Sequence, residues 1–223
     1  MTQGSGRRAR FSAYTLVCLA VIVVAQVLVY CGTRLALPHL TVHVLTGPLD
    51  ARIPFSAPWV TVYLLCFPYW LITGLLVFSG EKPLAYRIAA AYVVAMLLSG
   101  AVYLLWPGTM QRPEVTGGGV FNALVRFVYR VDEPTNLCPS LHVLATWVCF
   151  RGAAEHKGIP RWFKVFSGVF LVLVCCSVLL VKQHAVVDVP AGILVGELAL
   201  QIGRVLRLER IGFALEKAFK KSK

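Results

Sequence analysis

Two short stretches of this chain place ionisable groups where they can act together. The first reads Val181-Lys182-Gln183-His184-Ala185-Val186-Val187-Asp188. On a helix, His184 and Asp188 are four residues apart and share one face. An aspartate so placed accepts a hydrogen bond from one ring nitrogen and leaves the other basic, as a histidine nucleophile or base requires. The second stretch reads Asn136-Leu137-Cys138-Pro139-Ser140-Leu141-His142. Pro139 suits the first turn of a helix, and the free N–H groups just after it form a cradle for an anion. Ser140 adds a hydroxyl donor, and His142 is placed to give a proton to the bound anion. Taken singly, each group reads more simply as an interfacial side chain or half of a buried pair. Two histidines, one backed by Asp and one beside an anion-binding helix start, together describe a phosphoryl-transfer site.

The composition says what must bring these groups to one face. Of 223 residues, 58% are hydrophobic and 14% charged, against roughly 45–50% apolar and about 25% charged in a soluble domain. Such a chain should fold in lipid, as helices of about 20 residues that cross about 30 Å of hydrocarbon. Six segments qualify: 11–35, 58–79, 84–106, 142–153 with its flanks, 162–181 and 186–205. The expected fold is all-α, a six-span transmembrane helical bundle over residues 11–206. A basic cytoplasmic N-terminus (1–10) and a basic cytoplasmic tail (207–223) flank it. Segment 142–153 holds Thr146 and Arg151 and is read as a span because the topology requires it. Segment 11–35 is too long for a signal-peptide core and lacks a small-residue cleavage site, so a retained helix is expected.

The net charge of +12 is laid out as in a membrane protein, not as in a nucleic-acid binder. Lys and Arg cluster in alternate connections, 16 on one side and 6 on the other, and the richer side is cytoplasmic. Both termini then lie in the cytoplasm of a multi-pass protein of the cell membrane. Arg112 and both histidine stretches face outward, and Trp59, Trp106 and Trp162 suit the two aromatic belts.

Connections are short except for 36–57 and 107–138, and long loops in compact domains are often functional. In the second, Gly117 to Gly119 form a flexible turn or a close approach to a head group. Arg126 and Arg130 share one face, to recruit an anionic head group or to pair with Asp132 and Glu133. The tail interleaves basic and apolar residues, which fits either an amphipathic helix on an anionic leaflet or a solvated helix end. Seven cysteines show no metal-ligand spacing and read as small buried hydrophobes; the alternative for Cys31 and Cys138, if both reach the outer face, is a disulfide between them. His39 and His43 lack a third ligand. Glu197, deep in the last segment, reads as a hydrogen-bonding partner of another helix or the mark of a polar cavity.

In these motifs the chain resembles the type-2 phosphatidic acid phosphatase superfamily, six-helix membrane enzymes whose sites combine KxxxxxxRP, PSGH and SRxxxxxHxxxD. The second motif appears as Pro139-Ser140-Leu141-His142, the third keeps Ser177, His184 and Asp188, and the first keeps Arg112-Pro113. Leu105 stands in place of the first motif's Lys, Val178 in place of the third motif's Arg, and Leu141 in place of the second motif's Gly. Two phosphate cations are thus absent. Lys182 lies four residues after Val178, on the same face of a continued helix, and is the candidate replacement. Pro-Ser-Leu-His with Lys-Gln-His-x-x-x-Asp is similar to the branch that includes the inositolphosphorylceramide synthases, in which an alcohol can replace water as acceptor.

The resemblance implies that His184, oriented by Asp188, attacks the phosphorus of a lipid phosphate, while His142 protonates the departing alkoxide. Arg112, Ser140, Leu141 through its backbone N–H, and Lys182 hold the phosphate oxygens. No metal or other cofactor is expected, since the sequence offers no carboxylate cluster for Mg²⁺. Two other readings stay open: a proton- or ion-coupled transporter with a His/Asp relay, and an inactive relative that binds lipid.

Overall fold

The computed structural model describes residues 12–221. The expected basic N-terminus at 1–10, the first residue of segment 11–35, and Ser222 and Lys223 of the tail lie outside the described residues. The rest is all-helical but for one parallel pair, His43–Val44 against Gly108–Thr109. Nine α-helices follow in order among the described residues. They are α1 (Ala13–Ala36), α2 (Pro48–Arg52), α3 (Val60–Phe78), α4 (Lys82–Leu105), α5 (Val120–Val131), α6 (Leu141–Glu155), α7 (Arg161–Leu180), α8 (Asp188–Val205) and α9 (Glu209–Lys221).

Four helical stretches are long and apolar enough to cross a bilayer: Ala13–His39, Ala57–Phe78, Lys82–Leu105 and Arg161–Leu180. They match segments 11–35, 58–79, 84–106 and 162–181. Segments 142–153 and 186–205 form α6 and α8, which differ from these four. The 15 residues of α6 reach only about 22 Å at 1.5 Å per residue, and α8 carries Asp188, Glu197 and Arg204. With α9 beyond a bend of 63°, α8 passes the same length and composition test as a pair. Leu16, Val23 and Val27 of α1, and Val165, Val169 and Val172 of α7, are exposed. Apolar outer faces of this kind suit contact with lipid.

Small residues decide how the helices pack. On α4, Ala91, Ala95 and Ser99 form a buried stripe at four-residue spacing, which lets neighbouring backbones come close. A Cβ at Gly100 would lie 3.0 Å from Val29 of α1, and one at Gly203 of α8 would lie 3.1 Å from Ala91. A close crossing also joins α6 to α8. A Cβ at Gly192 would meet Ser140 O at 2.7 Å, and one at Gly196 would meet the Trp147 ring at 3.0 Å. Gly192 and Gly196 form a G-x-x-x-G pair, the pattern that permits close approach of two helices. Glu197 sits on this seam, where it accepts from Trp147 Nε1 (3.1 Å) and pairs with Arg151. It therefore does hydrogen-bond to a neighbouring helix.

Because the atom facing Gly192 is backbone, a larger side chain there cannot be accommodated by a rotamer change. Gly192→Val is expected to cost about 1–3 kcal/mol by overpacking, read as a lowered Tm in detergent. Gly118→Ala, with open space around the added carbon, should leave the Tm unchanged. Equal melting of the two variants would refute the close-crossing explanation.

At the end remote from the histidines, Glu155 of α6 pairs with both Arg87 of α4 and Arg204 of α8. The tail forms α9 and docks on α4: Phe213 packs edge-on against Tyr86, and Glu216 accepts from Lys82 (2.7 Å) and the Tyr86 hydroxyl (3.1 Å). Ile211 and Leu215 of α9 remain exposed. All seven cysteines are free thiols, so Cys31 and Cys138 are not joined. His39 ends a 3-10 turn, while His43 lies in a strand and stacks on Trp106, so the two do not share a helix face.

Candidate active site

The turn from α7 into α8 carries the first histidine. The last turn of α7 closes when the N–H groups of Gln183 and His184 both donate to Val178 O, at 2.9 and 3.1 Å. Lys182 takes a left-handed conformation, φ +53°, as a residue ending a helix often does. His184 therefore lies in the turn, and Asp188 is the first residue of α8. Asp188 Oδ2 reaches back to accept from Ala185 N (2.8 Å) and lies 3.2 Å from His184 Nδ1. A carboxylate can only accept, so Nδ1 carries the proton and Nε2 is the basic nitrogen. Asp188 is fully buried and His184 is 7% exposed. The pairing expected from the spacing is present, but it forms across a helix start.

The second histidine stands at the start of α6. Ser140 is the N-cap, its hydroxyl accepting from Val143 N at 3.4 Å, and Pro139 precedes the helix after a cis peptide bond. Pro139 was expected in the first helical turn; the strong capping preference of Ser places the helix start after it. Ser140 is fully buried, and its N–H donates to Asp188 O at 3.1 Å. It thus joins the two histidine-bearing helix starts and does not line the cavity described next. Leu141 and His142 do line it, and their N–H groups have no acceptor behind them in the first turn.

A cavity of about 320 Å³ contains the rings of His142 and His184 and the side chain of Arg112. The two histidine rings are 5.7 Å apart. His142 packs against Tyr63 at 4.3 Å and Trp70 at 5.6 Å. Trp70 donates to Thr146 (2.9 Å), which donates to the carbonyl of His142 (2.7 Å), fixing the first turn of α6. Arg112 donates to Asp132 O at 2.6 Å and to Gln183 Oε1, and lies over the Tyr129 ring at 4.7 Å. Burial lowers its pKa, and the nearby Asp132 carboxylate opposes that shift. Of its five N–H donors, two are committed, leaving others for a ligand.

Lys182 is not among the cavity's lining residues. The expected continuation of the helix stops at Leu180, and the Lys182 ammonium donates to Asp50 O (2.9 Å) and Ile53 O (2.5 Å). With Val186 N donating to Asp50 Oδ1 at 2.8 Å, it straps the 36–57 loop onto the His184 turn. Lys182→Ala is therefore expected to speed amide hydrogen exchange at residues 48–53 by about tenfold or more, through easier local opening. Unchanged exchange there would contradict the strap.

Two lining residues were not found from the sequence pattern. Gln183 holds Arg112, as above. Asp132, at the end of α5, accepts from the hydroxyls of Tyr30 (2.5 Å) and Tyr63 (2.8 Å). Burial pushes its carboxyl pKa up, but His142, the two tyrosine hydroxyls and His184 outweigh burial and hold it below the ordinary carboxylate value. Arg126 does not pair with it; Arg126 donates to the carbonyls of Val115 (3.1 Å) and Gly117 (3.0 Å). Gly117 and Gly119 both have positive φ, +81° and +98°, so the glycines serve a tight turn into α5. Tyr30 and Tyr63 lie 102 and 69 residues from Asp132 in sequence, too far for spacing to signal.

No protein-family model matches the chain, and no curated protein or solved structure matches it.

Proposed function

We propose that the chain is an integral membrane enzyme, a divergent member of the type-2 phosphatidic acid phosphatase superfamily, that cleaves a lipid phosphate through a phosphohistidine at His184. In this reading α1, α3, α4, α6, α7 and α8 cross the bilayer, both termini are cytoplasmic and the histidines face the outer leaflet. The observation that carries the chemistry is the His184–Asp188 pair, with Nε2 left basic, in one cavity with His142 and Arg112. A transporter relay would be expected nearer the bilayer midplane and in broken helices; these groups sit at two helix starts. The lipid character of the substrate is supported by a second cavity of about 420 Å³, almost wholly apolar, which shares Gln26, Phe67 and Trp70 with the first.

His184 Nε2 forms a bond to phosphorus as the bond from phosphorus to the lipid oxygen breaks, and His142 gives its proton to that oxygen. Asp188 stabilises the positive charge that develops on the His184 ring. Arg112 and the free N–H groups of Leu141 and His142 hold the equatorial oxygens. Water then attacks phosphorus and gives a proton to His142, the bond from phosphorus to Nε2 breaks, and both histidines are restored.

Arg112 favours a second reading. It is the one cation of the described residues lining the cavity beside the histidines that is not paired with a carboxylate, and two of its donors are already committed to protein acceptors. Weak retention of free phosphate suits transfer to an alcohol. The test is purified protein in detergent with a panel of phospholipids and polyprenyl phosphates, with and without an alcohol. Phosphate release that requires His184 supports hydrolysis, and acceptor-dependent product with little phosphate supports transfer. Lipid binding without turnover of any substrate would contradict both.

A further inference from the structure

The carboxylate of Asp132 is an unexpected neighbour for a bound phosphate. It lines the same cavity as His142, His184 and Arg112, and an anion placed there meets its repulsion. Its two hydrogen bonds come from tyrosine hydroxyls, which are neutral donors, and the cationic groups near it, Arg112 and the histidines, act on it without a hydrogen bond to the carboxylate. Arg112 approaches the backbone oxygen of Asp132, while Arg34 pairs with the adjacent Glu133 at 2.5 Å. No Lys or Arg forms an ion pair with the Asp132 carboxylate among the described residues. A carboxylate offers about four acceptor positions, so roughly two remain for a ligand. The rings of Tyr30 and Tyr63 adjoin it through their hydroxyls, and those of Phe67 and Trp70 line the same cavity; aromatic faces with a carboxylate in one cavity form a setting that attracts organic cations.

Resting on the phosphoryl-transfer reading, we infer that the cavity takes a zwitterionic phosphodiester lipid, its phosphate at His184 and Arg112 and the cationic amine of its head group at Asp132 and the surrounding rings. A phosphomonoester dianion brings two negative charges to a cavity with one free cation and an opposing carboxylate. A phosphodiester brings one, and its own ammonium answers Asp132. The step balances as before: the diester's bond to the lipid alcohol breaks, that alcohol takes the proton from His142, and the phosphate with its head group is left on His184 Nε2. Water or an alcohol then attacks phosphorus, the bond from phosphorus to Nε2 breaks, and the attacking hydroxyl gives its proton to His142.

The experiment uses the full-length protein in detergent and three lipids with identical tails: a phosphodiester with a trimethylaminoethyl head group, its uncharged 3,3-dimethylbutyl isostere, and the phosphomonoester. Wild-type kcat/KM is expected to be at least about tenfold higher for the cationic diester than for the other two. In Asp132→Asn the cationic-to-isostere ratio should fall toward one, while Asp132→Glu should retain part of it. The ratio is independent of how much variant folds. A wild-type preference for the monoester or the isostere overturns the inference while leaving the phosphohistidine reading intact. A ratio unchanged in Asp132→Asn, with all rates lowered together, assigns Asp132 to orienting or charging His142 and also overturns it. Failure of all three lipids to turn over refutes the phosphoryl-transfer reading and this inference with it.

Discussion

Replacing His184 with alanine is expected to lower kcat by at least about 10³-fold, the scale on which loss of a nucleophile is felt. Two features of the structure set this expectation. Nδ1 is held by Asp188 Oδ2 at 3.2 Å, so Nε2 is the basic nitrogen, and of the groups in the cavity His184 alone has a carboxylate on its other ring nitrogen. The residues lining the cavity include no serine and no cysteine. Asp188→Asn should follow in the same direction, because an amide can present its NH₂ to the ring and favour the wrong tautomer. Both rates are measured on whichever lipid phosphate the panel identifies. Residual activity in His184→Ala above about a tenth of wild type would remove His184 from the role of nucleophile.

The second large effect is on His142, and it depends on the leaving group. An alkoxide departing from phosphorus needs a proton, so His142→Ala should lower kcat by about 10²- to 10⁴-fold on a lipid substrate. A nitrophenolate needs little help to leave. The same variant should therefore lose much less in the initial burst of nitrophenolate from a nitrophenyl ester, at most about tenfold, because that burst precedes the attack of water in which His142 serves as base. Equal losses on both substrates would mean that His142 acts by shaping the cavity through its contacts with Tyr63 and Trp70. The comparison is clean because the two substrates report on one variant, folded to the same extent.

The parts of this site that could be read from sequence are those fixed by local geometry. His184 and Asp188 lie four residues apart, and that spacing brings them together across a helix start as well as within a helix. Five of the six apolar stretches, all but 142–153 with its flanks, became helices at nearly the expected limits, because length and hydropathy are properties of the segment itself. Errors came where two local rules competed. Pro139 was placed at the first helical position, whereas Ser140 captured the N-cap. Lys182 was placed by extending α7 past its end, with no glycine to mark the left-handed residue at which the chain turns away.

The larger omissions are long-range. Asp132 reads locally as a partner for Arg126 or Arg130, and only the fold brings Tyr30 and Tyr63 to it. Asp50 reads as an ordinary loop residue, although it accepts from Val186 N and its carbonyl holds Lys182. The close crossing of α6 and α8 did have a sequence signal, Gly192-x-x-x-Gly196, which is evident only once that helix is known to face a partner. Without this crossing, the Ser140 N–H would not meet Asp188 O, and the two histidines would not share a cavity.

The most direct test of the phosphohistidine is to trap it. Wild-type protein is mixed with a phosphorus-labelled lipid substrate from the panel, quenched within one turnover, and examined by peptide mass spectrometry under alkaline conditions. Label is expected on the peptide containing His184, lost on mild acid treatment as a phosphoramidate is, and absent from His184→Ala. Single-turnover product formation with no label on His184 at any quench time, or equal labelling of His184→Ala, would contradict the account.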